Sequence, residues 1–444
     1  MIVRKSFAFA LALGSAALLS AQPAAVDRAT LPEPELEQLV VEAIRSNPDL
    51  TSATASVEAA RQRVAPARAL PDPSLSFNYQ NDGTRITLGE RDMTFLGAMI
   101  SQPLPWPGKL RLAGEEAAQR AEEAGAGVER ARLAVEARVR RSWYELLLAR
   151  ALRDVTEDRG RSWREIADIV RDRYAAGLGI QQDVLRAQTE VLRVDEARAD
   201  QTAQTINRRS ELNRVLGRPQ DGPIETDRHL EFRSETPDFT LLLRRVLEGS
   251  PELSGNKRAI DAARLRVALA RKDFRPDFVA SGGPMYRGGL DPMWQVGLGI
   301  TLPIYAGSRQ KPRLNAAEAD VRSQEARLSS AALELEFLTR ERFENLNAAL
   351  RVARLYKEGV LPVDQLSMES AIASYRTGKV PFVTVLEALN TLYADRMIYL
   401  TRLSDSEKWR VALDEEDLGA SNPMSAAAAV AAPANTTTSS PSMR

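Results

Sequence analysis

The sequence predicts a mainly α-helical protein with a membrane β-barrel portion, built from a duplicated helix-strand-strand-helix-helix unit. Two observations support this fold class. Motifs recur at offsets of 200 to 203 residues, and paired amphipathic strands separate helices of unusual length. A repeat of that length is a duplicated domain-sized unit rather than a short solenoid module. The 444 residues are therefore expected to form two related halves that together carry four strands.

The duplication is visible in several pairs of motifs, and a single drift of three residues reconciles their offsets. The matching segments are Asn47-Pro48-Asp49-Leu50 with Ser250-Pro251-Glu252-Leu253, Pro73 with Pro276, Gln102-Pro103-Leu104 with Leu302-Pro303-Ile304, and Tyr174-Ala175-Ala176-Gly177 with Tyr375-Arg376-Thr377-Gly378. A stretch rich in Gly and Pro separates the halves. These boundaries predict a first repeat over 33–216, a linker over 217–237 and a second repeat over 238–418.

The N-terminus is typical of a secretory signal peptide, predicted over 1–21. Arg4 and Lys5 precede an apolar run over 7–19, and Ala21 offers a small residue for cleavage. Such a run is too short for a membrane anchor, which needs about 20 residues. Sixty basic and sixty acidic residues cancel, so no net field attracts nucleic acid. The tail over 419–444 is rich in Ala, Ser, Thr and Pro and is predicted to be disordered.

The predicted helices are far longer than the ordinary dozen residues. In the first half they cover about 35–70, with a local interruption at Asn47-Pro48, and then 108–174 and 180–216. In the second half they extend to about 274, cover 309–375 and extend to about 418. The helix over 108–174 would be about 100 Å long. The summed length of the two shorter helices of each half matches the length of the long helix. This predicts a rod in which an unbroken helix pairs with a broken one. Turns are expected at two tips, about 174–181 and 375–382.

Two strand pairs are predicted, over about 73–102 and 276–302. In the last strand Trp294, Val296 and Leu298 alternate with Gln295 and Gly297. This period and a length of about ten residues are typical of a tilted membrane strand, with apolar residues toward lipid and the others toward the lumen. A half-buried strand of a soluble sheet is the alternative for any single strand.

Four strands are too few for a closed transmembrane barrel, which needs about eight. An open sheet edge is not stable in lipid, so the barrel must be shared between chains. Two copies would supply 8 strands and three copies 12, and strand counting alone leaves this choice open.

Over about 33–418 the chain resembles the TolC-like outer-membrane efflux family. The segments that carry the resemblance are Gln102-Pro103-Leu104-Pro105-Trp106-Pro107-Gly108-Lys109, Tyr174-Ala175-Ala176-Gly177-Leu178-Gly179-Ile180 and Tyr375-Arg376-Thr377-Gly378-Lys379-Val380-Pro381. The resemblance implies a homotrimer, with a 12-stranded barrel among the lipids of the outer membrane and a helical tunnel in the periplasm. It also implies two partners, a periplasmic adaptor and an inner-membrane pump.

The resemblance also implies a gate at the periplasmic end of the tunnel. The matching positions are Asp183, Tyr375, Thr384 and Glu387, where Thr384 stands at a usually acidic position. Carboxylates repeated around a narrow pore repel anions and bind cations. The alternative is that Asp183 only decorates the start of a helix and that Glu387 is a solvated helix-surface charge.

Gly177 and Gly378 occupy equivalent places in the repeat, at the ends of the helices farthest from the strands. With Tyr174, Leu178 and Lys379 they form the predicted docking tips for the adaptor. The family often has a small hydroxyl residue three positions after each turn glycine. Ile180 and Pro381 stand there instead, which puts the usual polar contacts with an adaptor in question.

No catalytic constellation, cofactor motif or metal site is visible in the sequence. The single histidine, His229, lies in the linker, and cysteine is absent. Together with the family resemblance, this predicts a passive exit duct for small molecules or metal ions, not an enzyme. The Pro-Trp-Pro-Gly-Lys junction favours the metal-type members and a proton-driven pump. A polypeptide conduit of an ATP-driven exporter and a structural coiled coil without a pore are the alternatives.

Overall fold

The computed structural model describes residues 34–88 and 91–415, so the predicted signal peptide and tail lie outside the described residues. The helices are α1 Pro34–Ser46, α2 Pro48–Gln62, α3 Val64–Arg68, α4 Lys109–Ala175, α5 Gln181–Leu216, α6 Phe239–Gly249, α7 Pro251–Lys272, α8 Gln310–Leu355, α9 Leu361–Arg376 and α10 Phe382–Asp414. The strands are β1 Ser74–Gln80, β2 Phe95–Leu104, β3 Asp277–Tyr286 and β4 Met293–Thr301.

The first helical stretch is interrupted twice. At the first break the Asn47 side chain accepts a hydrogen bond from the Asp49 backbone N–H at 2.8 Å. Pro48 occupies the first turn of α2, where its missing N–H costs nothing. This interruption confirms the one predicted at Asn47-Pro48, whereas the second break, at Arg63, has no counterpart in the prediction.

The long helix α4 has 67 residues and is therefore about 100 Å long. Gly108, with φ of 91°, stands directly before it in the left-handed conformation. One part of α4 packs against α1, α2 and α3, and another part packs against α5. This confirms the predicted pairing of an unbroken helix with a broken one.

The corresponding stretch of the second half is helical from Gln310 to Arg376, close to the predicted 309–375, but it is not a regular α-helix throughout. A π-helical turn, Tyr356–Val360, separates α8 from α9. Pro362 follows in the first turn of α9. Proline lacks an N–H and its ring clashes with the preceding turn, and a locally wider turn accommodates both effects.

The four strands form one antiparallel sheet in the order β1-β2-β3-β4. Strands β1, β3 and β4 lie within the predicted strand pairs, whereas β2 ends two residues beyond the predicted boundary at 102. At the centre of the sheet Gln102 lies opposite Ala280, and Leu104 lies opposite Phe278. The outer strands β1 and β4 each have one unpaired edge.

An ionic clamp joins the two halves where strands meet helices. The Lys109 ammonium lies 2.9 Å from Asp277 Oδ2 and 3.3 Å from Asp273 Oδ1. Asp277 Oδ1 also accepts a hydrogen bond from the Trp106 backbone N–H at 2.7 Å. The turn that leads from β2 into α4 is thereby fixed to the start of β3.

Apolar side chains are distributed very differently in the helices and in the sheet. The helical rod has three buried cores, of which the one at the tips is called the tip core here. Its buried members are Trp163, Ile166, Ala167, Val170, Ala187, Val194, Ala371, Tyr375, Phe382, Val385, Leu389 and Tyr393. The sheet instead exposes large side chains, with Phe77 73% and Trp294 77% exposed.

Across the described ranges, no helix combines the length and the apolar character needed to cross a membrane.

Candidate functional site

Both tips end in the same backbone turn. Gly177 and Gly378 have φ of 72° and 76°, a left-handed conformation that costs glycine little. The Leu178 N–H donates to the Arg173 carbonyl at 2.8 Å, and the Lys379 N–H donates to the Ser374 carbonyl at 2.9 Å. These bonds close the helix ends in the Schellman pattern, so the duplication reproduces the turn in each half.

Arg173, in the last turn of α4, joins the two tips. Its Nη1 atom donates to the carbonyls of Tyr375 and Arg376, both at 2.7 Å. Its Nη2 atom donates to the Leu178 carbonyl at 2.9 Å. The last carbonyls of a helix have no partner within the helix and carry partial negative charge, so a guanidinium group binds them well.

The same guanidinium group also lies over the Tyr375 ring, with 4.8 Å between its central carbon and the ring centroid. This spacing is within the range of a cation–π interaction. Arg173 therefore holds the second tip through both its backbone and its aromatic ring. We call the contacts of Arg173 with Tyr375, Arg376 and Leu178 the tip latch.

Tyr375 belongs to the tip core and is only 3% exposed. Its ring packs against Phe382 with 5.7 Å between centroids, and Phe382 in turn meets Trp163 edge-on at 6.4 Å. Burial first, and then the negative charge of Asp183, raises the pKa of Tyr375. Within the described chain the Tyr375 hydroxyl has no partner at normal hydrogen-bond geometry, so Asp183 acts on it mainly through its charge.

Asp183 lies in the first turn of α5, half-buried, where a carboxylate interacts favourably with the helix dipole. Burial raises the pKa of Asp183, and the charges of Arg186 and Arg173 and the Tyr375 hydroxyl oppose this rise. The structure therefore brings Asp183, Tyr375 and Arg173 into one electrostatic group.

The two remaining gate candidates stand apart from this group. Thr384 is half-buried in the first turn of α10, and its backbone N–H donates to the Pro381 carbonyl at 3.1 Å. Glu387 is exposed one turn further along α10. Its side chain forms no ion pair or hydrogen bond with any described residue, so its role in a gate stays a prediction.

The predicted docking residues are exposed at the tips. Leu178 is exposed beside Gly177, and Lys379 is exposed beside Gly378. A side chain added at Gly177 would meet nothing within 4 Å, whereas one added at Gly378 would lie 3.5 Å from Arg173 Nη2. The first tip therefore offers free surface around its turn, while the second is occupied by the latch.

Sequence reasoning missed Arg173. Its partners in the second tip are 202 and 203 residues away along the chain, and α4 contains many other arginines. One signal was available, because Arg173 directly precedes the repeated Tyr-x-x-Gly motif at a helix C-terminus. A search of the described residues for clusters of His, Cys, Asp and Glu that could hold a metal ion finds none.

Helices of about 100 Å joined to a four-stranded sheet with large exposed apolar side chains define a class of protein, the outer-membrane export channel. The model of the family described as outer membrane efflux protein matches residues 39–218 and 242–415, and the chain belongs to this family. Outer-membrane location and an efflux function follow from this membership. A structural coiled coil without a pore, the alternative from the sequence, is thereby wrong.

Known relatives and solved structures agree with this assignment. The chain is 24% identical to the cobalt-zinc-cadmium resistance protein CzcC of Cupriavidus metallidurans, over 85% of this chain and 88% of the relative. It is 24% identical to the outer membrane protein TolC of Escherichia coli, over 81% and 77%. Its fold matches the outer membrane protein VceC of Vibrio cholerae with a TM-score of 0.72 at 18% identity, over 87% of this chain and 96% of VceC.

Proposed function

We propose that three copies of this chain form the passive exit duct of a tripartite efflux pump. In this assembly the three sheets build a 12-stranded barrel in the outer membrane, and the long helices continue it as a tunnel in the periplasm. One observation supports this most strongly. Each chain carries a four-stranded sheet with exposed large apolar residues and two unpaired edges, which can be stable in lipid only when further strands close it.

The tip latch is proposed to hold the periplasmic end of the duct narrow. Arg173 tethers the end of α9 to the end of α4, so the two tips of a chain cannot separate while its contacts persist. The Asp183 carboxylate beside the latch, repeated by symmetry, would favour cations and repel anions at the entrance. Thr384 and Glu387 lie further along α10 and are proposed to line the same passage.

The exposed tips are proposed to dock the ends of a periplasmic adaptor. Tyr174 and Leu178 offer apolar surface, and Lys379 offers a positive charge. The duct supplies no energy of its own in this scheme, so an inner-membrane pump must drive transport. We infer a proton-driven pump, with support from the Pro-Trp-Pro-Gly-Lys junction and from the similarity to CzcC.

Divalent metal cations are the proposed cargo, by similarity to a cobalt-zinc-cadmium resistance protein. Deleting the gene in its host should raise cellular cobalt, zinc or cadmium after metal challenge, and restoring the gene should reverse the rise. Elemental analysis of washed cells measures the effect. Unchanged metal content, with a polypeptide lost from the culture medium instead, would contradict the metal assignment and favour an ATP-driven exporter.

The duct itself can be tested apart from its cargo. Cross-linking in outer-membrane vesicles should stop at a trimer, and the purified protein should form conducting pores in planar bilayers. A monomer that stays free of the membrane would contradict the proposal, and so would a trimer that never conducts.

A further inference from the structure

Methionine is concentrated in the sheet. Of the nine methionines in the chain, Met93 lies directly before β2, and the strands β2, β3 and β4 each contain one, at Met99, Met285 and Met293. Met285 is the last residue but one of β3, and Met293 is the first residue of β4. Strands β2 and β4 lead into the long helices at their other ends, so Met285 and Met293 lie at the end of the sheet that is far from the helices.

The three strand methionines point to the same face of the sheet. Residues directly opposite each other in paired strands share a face, and so do alternate residues along one strand. Met285 lies opposite Gly97 on β2 and opposite Met293 on β4. Met99 follows Gly97 by two residues, so it points to this face as well. We call Met99, Met285 and Met293 the thioether cluster.

The face that carries the thioether cluster is not the apolar one. Ile100 and Trp294, whose large side chains are exposed, directly follow Met99 and Met293, and successive residues of a strand point to opposite faces. Most other positions on the face of the cluster are small or polar, namely Ser74, Ser76, Asn78, Gln80, Gly97, Ser101, Ser281, Gly283, Gln295, Gly297, Gly299 and Thr301. Contact with lipid therefore does not explain why these three positions are methionine.

The side chains of the thioether cluster are within reach of one another. Cβ atoms of directly opposite residues, such as Met285 and Met293, are about 4.5–5.5 Å apart, and those of diagonal neighbours, such as Met285 and Met99, are about 7–8 Å apart. A Cβ atom built on Gly97 would lie 3.6 Å from Met285 Cγ, so the buried Met285 side chain extends over this glycine toward the strand of Met99. Because methionine has three rotatable bonds, the three sulfur atoms can meet here.

Three thioethers in one place make a soft and uncharged set of ligands. Thioether sulfur selects soft cations such as Cu(I), whereas carboxylate, carbonyl and water ligands suit hard cations. The cluster contributes no negative charge, so it suits a monovalent ion better than a divalent one. Arg287, two residues beyond Met285, lies 3.6 Å from Asp92 Oδ1 and donates to the Asp92 carbonyl at 2.7 Å, which partly offsets its positive charge.

We infer that Met99, Met285 and Met293 bind a soft monovalent cation, Cu(I) or Ag(I), on the lumen face near the outer end of the barrel. The inference rests on the proposed duct, in which this face lines the lumen, and it deepens that proposal by naming ions that the lumen binds. The Phe95 ring lies 3.7 Å from the same point over Gly97 and gives the site an apolar wall. Because a conducted ion must also leave, the binding must be weak enough for release.

Silver binding to the purified full-length protein tests this site, because Ag(I) carries the same charge as Cu(I) and is stable in air. The test variant combines Met99→Leu, Met285→Leu and Met293→Leu, since leucine is similar in volume but has no sulfur. The matched control combines Met368→Leu and Met397→Leu on α9 and α10, and it keeps the thioether cluster. Equilibrium dialysis against silver nitrate in buffer without chloride, followed by elemental analysis, measures the silver bound per chain.

The wild-type protein and the control should each bind about one silver ion per chain, with sulfur neighbours in X-ray absorption spectra. The test variant should bind silver at least about tenfold more weakly, since even the loss of a group that supports a metal ligand costs that much affinity. Equal binding in the test variant would overturn the inference, and so would silver with oxygen neighbours alone. Displacement of the silver by an equal concentration of Zn²⁺ would overturn the choice of a soft monovalent ion.

Planar-bilayer recording distinguishes this inference from the proposed duct. Silver nitrate should reduce the conductance of wild-type pores and leave that of the test variant unchanged. If the test variant does not insert, Met293→Leu alone, at an exposed position, should still weaken the block by silver. Pores that conduct but bind no silver would overturn the inference and leave the duct intact. A protein that forms no pores would contradict the duct, and with it the position of the cluster in a lumen.

Discussion

The two tips of the chain share one backbone turn but use the same tyrosine in different ways. Tyr174 and Tyr375 hold equivalent places before Gly177 and Gly378, yet Tyr174 is 46% exposed and Tyr375 is 3% exposed. The residue before Tyr174 is Arg173, whereas the residue before Tyr375 is Ser374. Each chain therefore has a single latch arginine, which reaches from the first tip to the second. Both repeats therefore form the same turn, but only the first has an arginine before its tyrosine, so the two tips make different contacts.

A second difference lies further up the helices. Trp163 and Val194 are buried in the tip core, and their counterparts in the second half are Asp364 and Asp395. Burial first, and then a hydrogen bond that the protonated Asp364 donates to Asp395 and the negative charge of Asp395, raise the pKa of Asp364. Two buried apolar side chains in one half thus correspond to a carboxyl pair in the other, and we expect this pair to give the second half a pH-dependent contribution to stability.

We expect the largest difference in stability between alanine variants of the two tyrosines. Tyr375→Ala should destabilise the tips by about 3–5 kcal/mol, because it removes a buried aromatic ring. Tyr174→Ala, the matched control, should cost no more than about 0.5 kcal/mol. Hydrogen exchange of α9 and α10 in detergent-solubilised protein measures both. Equal protection in the two variants would mean that the tips are equivalent despite their different burial.

The two glycines should differ by a smaller amount. Substitution by Val at either position forces a left-handed conformation on a branched residue, at a cost of about 1–2 kcal/mol or more. Gly378→Val should cost more than Gly177→Val, because only Gly378 lies against Arg173. Thermal unfolding and export assays on both variants give the comparison. A larger loss for Gly177→Val would show that free docking surface matters more than the latch.

The carboxylates at the tips can be compared by changing one at a time. Asp183→Asn should weaken block by multivalent cations in planar bilayers, and replacing Asp183 and Glu387 together with Ala should also raise conductance. Since the pKa of Asp183 is raised, the block should fade at a higher pH than for an ordinary aspartate as the solution is acidified. Glu387→Gln is the variant to compare with Asp183→Asn, because Glu387 lies apart from the tip latch. Unchanged block in all three variants would make these carboxylates ordinary surface charges.

The smallest effect concerns the carboxyl pair on α9 and α10. Because the folded pKa of Asp364 lies above its unfolded value, its contribution to stability is present at low pH and is lost as pH rises through the folded pKa. Asp364→Asn should therefore raise the melting temperature at neutral pH. The gain in the free energy of unfolding should be less than about 1 kcal/mol, because the carboxyl pair is partly exposed. The charge that acts on Asp364 is that of Asp395 on α10, while Arg396 and Glu369 both hydrogen-bond the neighbouring Gln365. An equal gain in melting temperature at pH 4 would contradict the raised pKa of Asp364.

The sequence prediction succeeded where one or two neighbouring residues decide the local structure. Alternation of apolar and polar residues predicted the strands, and the left-handed requirement of the turns predicted Gly177 and Gly378. Pro362 is an equally local signal for the π-helical turn after α8, but the predicted helix over 309–375 took no account of it.

The latch was beyond such signals because it depends on tertiary contact. Asp183 and Tyr375 were named from a family resemblance, and the structure places them near each other. Arg173 could not be singled out, because nothing local marks which arginine of an arginine-rich helix will meet carbonyls about 200 residues away. Glu387 was named from the same family resemblance, and its side chain meets no described partner.

We propose that Arg173 holds the second tip and thereby keeps the duct narrow. Single-channel recording of Arg173→Ala tests this proposal, with Arg171→Ala as the matched control. Arg171 is exposed and, among the described residues, pairs only with Asp168 at 2.8 Å. Loss of even one charge-assisted hydrogen bond of about 1.5–3 kcal/mol should shift the tips toward the open state by about tenfold or more. Arg173→Ala should therefore conduct more than wild type, and Arg171→Ala should conduct equally. Wild-type conductance in Arg173→Ala would contradict the claim and place the constriction elsewhere.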